Sequence, residues 1–355
     1  MDSVPDSAVC NEAVKLAVKK GFGTLCGFVN GVLRNVARGL DQVEYPTEGI
    51  ERLSVVYSMP EWILKLWKKT YDLDVIESML QAFQEETPVT IRCNLAKTTP
   101  ENLKESLQKE GVTVTPHPYL SYAFWIQDYD HLSELESFQK GEFYVQDISS
   151  MLVGELADPK KGDRVIDVCA APGGKALHVA EKLRGTGSVE ARDLSLYKVG
   201  LITENIERSG LTNIHAVQKD ATVCDADVKD AADLVIADLP CSGLGVLAKK
   251  TDLKYKATEQ STKELAGLQR EILKNAASYV RPGGTLIYST CTINPAENIE
   301  NVHWFLKEFP EFVLDPIADR LCSTLQNSVE EAGCLQLLPG IHKSDGFFIA
   351  RFGKK

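Results

Sequence analysis

A chain of 355 residues with 44% hydrophobic and 25% charged residues has the balance of a folded globular protein, which excludes a disordered or collagen-like chain and allows two or three domains. No run of about 18 apolar residues occurs and the amino terminus lacks a basic-then-apolar export pattern, so a cytoplasmic protein with no membrane partner is expected. The formal net charge of −11 argues against a generally basic surface of the kind that neutralises phosphates and leaves room only for a local basic groove.

Residues 1–40 read as two helices. Asp6 or Ser7 is the expected cap of the first; Leu25, Phe28, Val29, Val32, Leu33 and Val36 recur at helical spacing in the second, and Gly39 supplies a stop. Two helices cannot enclose a core of their own. Their local charge is positive, with Lys15, Lys19, Lys20, Arg34 and Arg38 against Asp2, Asp6 and Glu12. A solvated helix face is the plain reading of that charge, and an RNA-contacting helix the functional one.

Tyr45 to Glu48, with Pro46, reads as a linker, and residues 60–84 carry two further helical patterns that include Trp62, Ile63, Leu66 and Trp67. The rhythm then changes. A strand over 89–95, a helix over 100–110 capped by Thr99, strands over 112–115 and 123–127, a helix over 131–140 and a strand over 143–146 follow. That β-α-β-β-α-β order is the ferredoxin-like layout, which RNA-recognition domains also use. Phe124, Trp125, Phe143 and Tyr144 are candidate stacking faces for bases, although the aromatic-glycine signature of RNA-recognition domains is missing and core packing accounts for them equally well.

After Gly162 strands and helices alternate, which predicts a parallel sheet with helices on both faces. Strands are expected over 164–169, 188–193, 214–218, 233–237 and 285–289, and helices over 175–183, 197–209 and 263–280. Residues 221–232 read as irregular and Pro282-Gly283-Gly284 as a turn, while 334–338 and 347–351 are expected to close the sheet as an antiparallel edge.

Ligands of such sheets bind at the carboxyl ends of the strands, so polar residues there carry the functional reading. Cys169-Ala170-Ala171-Pro172-Gly173-Gly174-Lys175 lets a ligand approach the backbone ahead of a helix N-terminus, and it matches neither a Walker loop nor G-x-G-x-x-G. Asp193 ends the next strand about 20 residues on, where a carboxylate accepts from ribose hydroxyls. Asp220 follows the third strand, in place to accept from an adenine amine, and Asp238 ends the fourth. A single strand-terminal aspartate is most simply a helix cap. Three at successive strand ends beside a glycine turn fit an adenosine-bearing cofactor better.

Asp238-Leu-Pro-Cys241-Ser-Gly and Ser289-Thr-Cys291-Thr each follow a sheet strand and so open on one crevice. Cytosine C5 is a poor nucleophile, and a thiolate adding to C6 makes C5 able to attack a sulfonium methyl group; the cysteine leaves once the C5 proton is removed. A second thiol assists proton removal or release, Asp238 suits the N3–N4 edge of the base, and Lys175 either lowers a thiol pKa or holds the acid. The nine cysteines form no C-x-x-C pair and the six histidines no H-x-x-x-H, so no disulfide framework and no metal are expected.

The segments CAAPGGK, DLPCSG, YSTCTINPAEN and LPGIHKSDGFF resemble the Nop2/Sun family of RNA cytosine-5 methyltransferases, and within it the bacterial RsmB type that modifies small-subunit ribosomal RNA. The resemblance spans essentially the whole chain and is strongest over 140–352. It implies a Rossmann-like class I methyltransferase over 151–355, a helical linker with a ferredoxin-like domain over 46–150, and over 1–45 only the last part of a NusB-like RNA-binding domain. It further implies that Cys169 to Lys175, Asp193, Asp220 and Asp238 bind S-adenosylmethionine, that Cys291 is the nucleophile and that Cys241 serves release. The implied substrate is small-subunit ribosomal RNA, met by a monomer. Two departures are Leu239, where the family usually has alanine, and Ser195, where a second acid often stands.

A DNA cytosine-5 methyltransferase would use Cys241 as its nucleophile and need a glutamate-asparagine-valine motif at a suitable distance after it, and none follows at such a distance. A small-molecule methyltransferase leaves the paired cysteines and the ferredoxin-like domain without a purpose. A methyltransferase of transfer RNA or another RNA shares the chemistry, and a non-catalytic RNA-binding assembly factor has no reason to keep Cys241, Cys291, Asp238 and Lys175 together.

Overall fold

The computed structural model describes residues 4–355, and Asp2 lies outside them. The chain divides into two compact units, residues up to Ser58 and residues from Met59 onward.

The first unit holds α1 (Asp6–Lys19), α2 (Cys26–Gly39) and α3 (Gly49–Val56). Neither Asp6 nor Ser7 caps α1. Pro5 takes the extended cap position and offers no side-chain acceptor, while Asp6 is the first helical residue, where its charge faces the positive end of the helix dipole. The apolar stripe of α2 stays open, with Phe28 70% exposed and Val36 56%. Helix α3 directly follows the linker and was not expected from the sequence.

The second unit opens with α4 (Glu61–Trp67) and α5 (Leu73–Ala82), in which Ile63, Leu64, Trp67, Ile76, Met79 and Leu80 are buried. An antiparallel sheet of order β2-β3-β1-β4 follows, formed by β1 (Val89–Cys93), β2 (Thr113–Pro116), β3 (Ala123–Gln127) and β4 (Phe143–Val145). Its helices are α6 (Pro100–Lys109) and the single turn α7 (Glu136–Gln139). The Thr99 hydroxyl accepts from the Asn102 N–H at 3.2 Å, the expected cap. Ile91 pairs with Phe124 and Val145, and Thr90 with Trp125, so alternate residues share a face. Ile91, Cys93, Phe124, Ile126 and Phe143 pack with Leu103 and Leu107 of α6. The opposite face carries Arg92, Ala123, Tyr144 and Trp125. Of the four candidate stacking residues, Phe124 and Phe143 are therefore core, and Tyr144 is buried with the Arg92 guanidinium 4.3 Å from its ring centroid. Only Trp125 remains half-buried.

Helix α8 (Ile148–Ala157) leads into the α/β region, which contains β5 (Arg164–Asp167), α9 (Gly174–Lys182), β6 (Ser188–Asp193), α10 (Leu196–Ser209), β7 (Ile214–Gln218) and β8 (Ala232–Asp238). The turn α11 (Leu253–Lys256), α12 (Glu259–Tyr279), β9 (Val280–Thr290), α13 (Ile299–Glu308) and β10 (Phe312–Leu314) continue it. The turn α14 (Ser323–Gln326), β11 (Val329–Glu331), β12 (Cys334–Leu337) and β13 (Phe347–Lys354) complete it. The sheet runs β11-β12-β13-β9-β8-β5-β6-β7, with β10 beside β13. Strands β5 to β9 are parallel, and β13 joins β9 antiparallel, as expected. Because β5 has β6 on one side and β8 on the other, the chain reverses direction of travel there and opens a crevice over its carboxyl end.

The Pro282-Gly283-Gly284 turn is instead part of β9. The step from Ala232 to Leu234 on β8 faces the longer step from Val280 to Thr285, and the surplus residues bulge, with Gly283 at φ +75°. Among the described residues no helix is long and apolar enough to cross a membrane.

Candidate active site

Three strands of the parallel sheet end on carboxylates: β5 on Asp167, β6 on Asp193 and β8 on Asp238. The strand order sets them side by side across the crevice. Between β5 and α9 the glycine-rich loop turns tightly, with the Ala170 N–H donating to Arg192 O at 2.7 Å and the Gly173 N–H to Ala170 O at 2.7 Å. Gly173 takes φ +106°, which residues with a Cβ avoid, and the Ala171–Pro172 peptide is cis. The loop leans on Asp193, whose carboxylate accepts from the N–H groups of Ala171 and Ser195, each at 3.4 Å. At Ser195 the main chain thus satisfies Asp193 although the second acid of the family is missing.

Asp220 lies just past β7, and one of its oxygens accepts from the Thr222 N–H at 2.9 Å and hydroxyl at 2.7 Å, which holds its carboxyl below the usual range. Asp167 is the residue that sequence reasoning missed. It is fully buried; one oxygen accepts from the Cys169 N–H at 3.3 Å and the other has no partner among the described residues. Burial, then the charge of Asp238, pushes it up to about 7. An orphaned buried carboxylate oxygen at the floor of a crevice is costly unless a ligand donates to it, so the residues present fit a cofactor that brings donors.

Lys175, in the first turn of α9, crosses the crevice to Asp238 at 2.8 Å, and its Nζ lies 5.4 Å from the centroid of the Phe347 ring. Burial opposes its charge, but Asp238 and Asp167 raise its pKa above the ordinary lysine value. The second oxygen of Asp238 accepts from the Ser289 hydroxyl at 2.7 Å. Leu239 is buried in the core behind β8, and its N–H donates to Ser289 O at 3.0 Å, so the larger side chain leaves the strand end intact.

Cys241 and Cys291, on turns after β8 and β9, bring their sulfurs to 3.2 Å. The two are not equivalent. A hydrogen bond from Cys241 lowers the Cys291 thiol, helped by Lys175 and Lys250, against the opposition of burial and Asp238. Cys241 is pushed well up by donating that bond, by burial and by the charges of Cys291 and Glu297. The two shifts run in opposite directions, and the lysines favour charge on Cys291 over Cys241. Cys169, by contrast, is raised by burial and by the charges of Asp167, Asp193 and Asp238.

Both turns are held from behind by a buried polar network. The Glu297 carboxylate accepts from the Ser242 N–H at 2.8 Å, from Gln269 at 3.0 Å and from Asn294 at 2.9 Å. Asn298 receives the Thr290 hydroxyl at 2.6 Å and donates to Thr292 O at 3.0 Å. On the other side the Gly245 N–H donates to Cys291 O at 3.1 Å and the Gly346 N–H to Gly245 O at 2.8 Å. A Cβ on Gly245 would stand 2.0 Å from Gly346 O, so glycine is required there for close approach. Sequence reasoning left Glu297 and Gly245 unassigned; the signal available was an acid between two asparagines directly after the second cysteine motif.

A glycine loop and strand-end acids at the switch point of a parallel sheet, beside two facing cysteines, define a methyltransferase that uses S-adenosylmethionine. The family model "16S rRNA methyltransferase RsmB/F" matches residues 155–353, an RsmF/B-like ferredoxin-like domain model matches 59–129, and the NusB family model matches 1–38. A probable ribosomal RNA small subunit methyltransferase B of Bacillus subtilis is 37% identical over all of this chain and 80% of its own length. Ribosomal RNA small subunit methyltransferase F of Escherichia coli is 35% identical over 78% of this chain and 59% of its own. Among solved structures, PH0851 superimposes with a TM-score of 0.85 at 28% identity, covering 99% of this chain and 78% of that one. NSun6 from Pyrococcus horikoshii gives 0.74 at 25% identity, covering 84% and 99%. The chain belongs to the RsmB/F family of methyltransferases, within the Nop2/Sun group.

Proposed function

We propose that this protein methylates C5 of a specific cytosine in RNA, with 16S ribosomal RNA as the substrate, through a covalent bond between Cys291 and C6. The carrying observation is the asymmetric cysteine pair beside the Lys175–Asp238 ion pair. S-adenosylmethionine supplies an electrophilic methyl group when bound; Asp193 is placed to accept from ribose hydroxyls, Asp220 from the adenine amine, and the free oxygen of Asp167 from a further donor.

The Cys291 thiolate adds to C6, and the electron pair displaced from the C5–C6 double bond spreads over C5 and N3, which makes C5 nucleophilic toward the methyl group that bound S-adenosylmethionine would supply, its sulfur keeping the pair of the broken carbon–sulfur bond as a neutral thioether. Asp238 and Lys175 receive the N3–N4 edge where charge develops. The C5 proton then leaves to a base, the C5–C6 double bond reforms, and the Cys291–C6 bond breaks with the sulfur departing as thiolate. Cys241 serves this release as a proton carrier. A thiolate cannot reach C6 inside a stacked duplex, so the target is a single-stranded or extruded cytosine. The activity is placed in the cytoplasm, in a monomer organised as a NusB-like segment (1–45), a linker with a ferredoxin-like domain (46–150) and a methyltransferase domain (151–355).

The test is incubation of the protein, Cys291→Ala and Cys241→Ala with tritiated S-adenosylmethionine and unmodified small-subunit ribosomal RNA, scoring 5-methylcytosine and adducts that survive denaturing gels. Cys291→Ala is expected to give neither product nor adduct, and Cys241→Ala to accumulate adduct. Activity retained by Cys291→Ala overturns the assignment of the nucleophile, and comparable methylation of a fully paired RNA overturns the extruded substrate.

A further inference from the structure

A second cavity, of about 370 Å³, lies beside the cysteine turns and takes no part in the chemistry described above. Its size falls within the range that encloses small ligands. Trp125 of β3, Lys249, Asp345, Lys343 and Gly245 are among its lining residues.

Gly245 places it. The same residue that lines the cavity donates its N–H to Cys291 O and accepts from Gly346, so one peptide layer separates the cavity from the nucleophile's turn. The strap from Lys343 to Phe347 runs from the cavity to the ring beside Lys175. It is anchored on the ferredoxin-like domain, where the Lys343 N–H donates to the Tyr119 hydroxyl at 3.2 Å and Lys343 O meets the His117 ring at 3.1 Å.

The lining combines three kinds of group. The Trp125 ring is braced by His117, whose centroid is 4.5 Å away, and carries the Lys343 ammonium 5.8 Å from its own centroid. Lys249 bridges two mostly buried carboxylates, Asp147 at 3.0 Å and Asp345 at 2.6 Å. Asp147 is already occupied, since one oxygen accepts from the N–H and hydroxyl of Ser149. With its other oxygen on Lys249, Asp147 uses both, whereas Asp345 gives one oxygen to the same ammonium. An aromatic face stacks a base, a carboxylate accepts from an exocyclic amine, and lysines neutralise the phosphates to either side. A planar, amine-bearing, phosphate-flanked ligand one peptide away from the nucleophile is a neighbouring nucleotide of the same RNA.

We propose that this cavity receives the base of a nucleotide flanking the target cytosine, stacked on Trp125 and selected by Asp345 for an exocyclic amine, which disfavours uracil. This rests on the reading of the enzyme as an RNA cytosine methyltransferase.

The experiment uses short loop RNAs carrying each of the four bases at the positions on either side of the target. For the full-length protein, Trp125→Ala and Asp345→Ala, it measures both methyl transfer and equilibrium RNA binding. At one flanking position uracil is expected to lower kcat/KM about tenfold relative to amine-bearing bases. Asp345→Ala is expected to erase that preference, and Trp125→Ala to raise KM for RNA with kcat held. Equal use of all bases at both positions, or a preference that survives both substitutions, overturns the proposal. Tight RNA binding without methylation counts against the proposed chemistry instead, and the base preference is then read from binding, where its absence again overturns the cavity assignment.

Discussion

The two sheets of the larger unit use their polar residues in opposite ways. In the parallel sheet Asp167, Asp193 and Asp238 gather at one edge, because every strand from β5 to β9 points the same way and leaves the sheet on the same side. In the antiparallel sheet neighbouring strands end on opposite sides, and polar function moves to a face: Arg92, Tyr144 and Trp125 share the face turned away from α6. Strand direction thus decides whether chemistry collects at an end or spreads over a surface.

The sharpest way to break this contrast is at Arg92, which reaches from the antiparallel sheet to Glu181 on α9 at 2.9 Å, both side chains being buried. Arg92→Met strands that carboxylate and is expected to cost about 3–5 kcal/mol in urea unfolding. A loss below about 1 kcal/mol would mean that the face contributes little to joining the two sheets.

Next comes Asp167, with its carboxyl raised to about 7. Between about pH 4 and 7 the folded state keeps a proton that the unfolded chain releases, so this residue makes stability fall as pH rises through that window. Asp167→Asn is expected to flatten the slope and to leave the cofactor-free protein more stable than the parent above pH 7, by at most about 4 kcal/mol. Parallel curves for the two proteins would show that the orphaned oxygen carries no strain.

Lys175→Met removes a cation that favours charge on Cys291 and pairs with Asp238. Methyl transfer at neutral pH is expected to drop about 10²-fold and to recover in part at alkaline pH, as the Cys291 thiol ionises later. An unchanged pH–rate profile would remove Lys175 from thiol activation. The smallest effect is expected at Thr99→Ala, about 1 kcal/mol, since it deletes one cap of α6 far from either polar set.

Most strands and most long helices were legible because their patterns are local. Thr99-Pro100 announced α6, and the strand from Ile214 to Gln218 has the expected bounds. Helix α8 was not foreseen: eight of its ten residues are buried, so it lacks the polar face that gives a helix its period. The bulge in β9 reads as a turn because proline and two glycines suit either, and only pairing with β8 decides. At the site, the motifs around Cys169, Cys241 and Cys291 were readable because each is a contiguous run at a strand end, whereas Asp167 hides within the apolar pattern of β5 and Glu297 acts through partners distant in sequence. Trp125 was among the stacking candidates, but only the register and burial of its sheet separate it from Phe124.

The position of β13 has a consequence for synthesis. It lies between β12 and β9 in space yet follows every other strand in the chain, and the strap that touches Gly245 and Lys175 precedes it directly. On the ribosome a nascent chain can pair β5 to β9 well before Phe347 emerges, leaving β9 as an open apolar edge beside a half-built cysteine turn. Translational pausing upstream of Phe347 therefore prolongs an inactive, aggregation-prone state, and release of β13 both seals that edge and delivers the enzyme's competence.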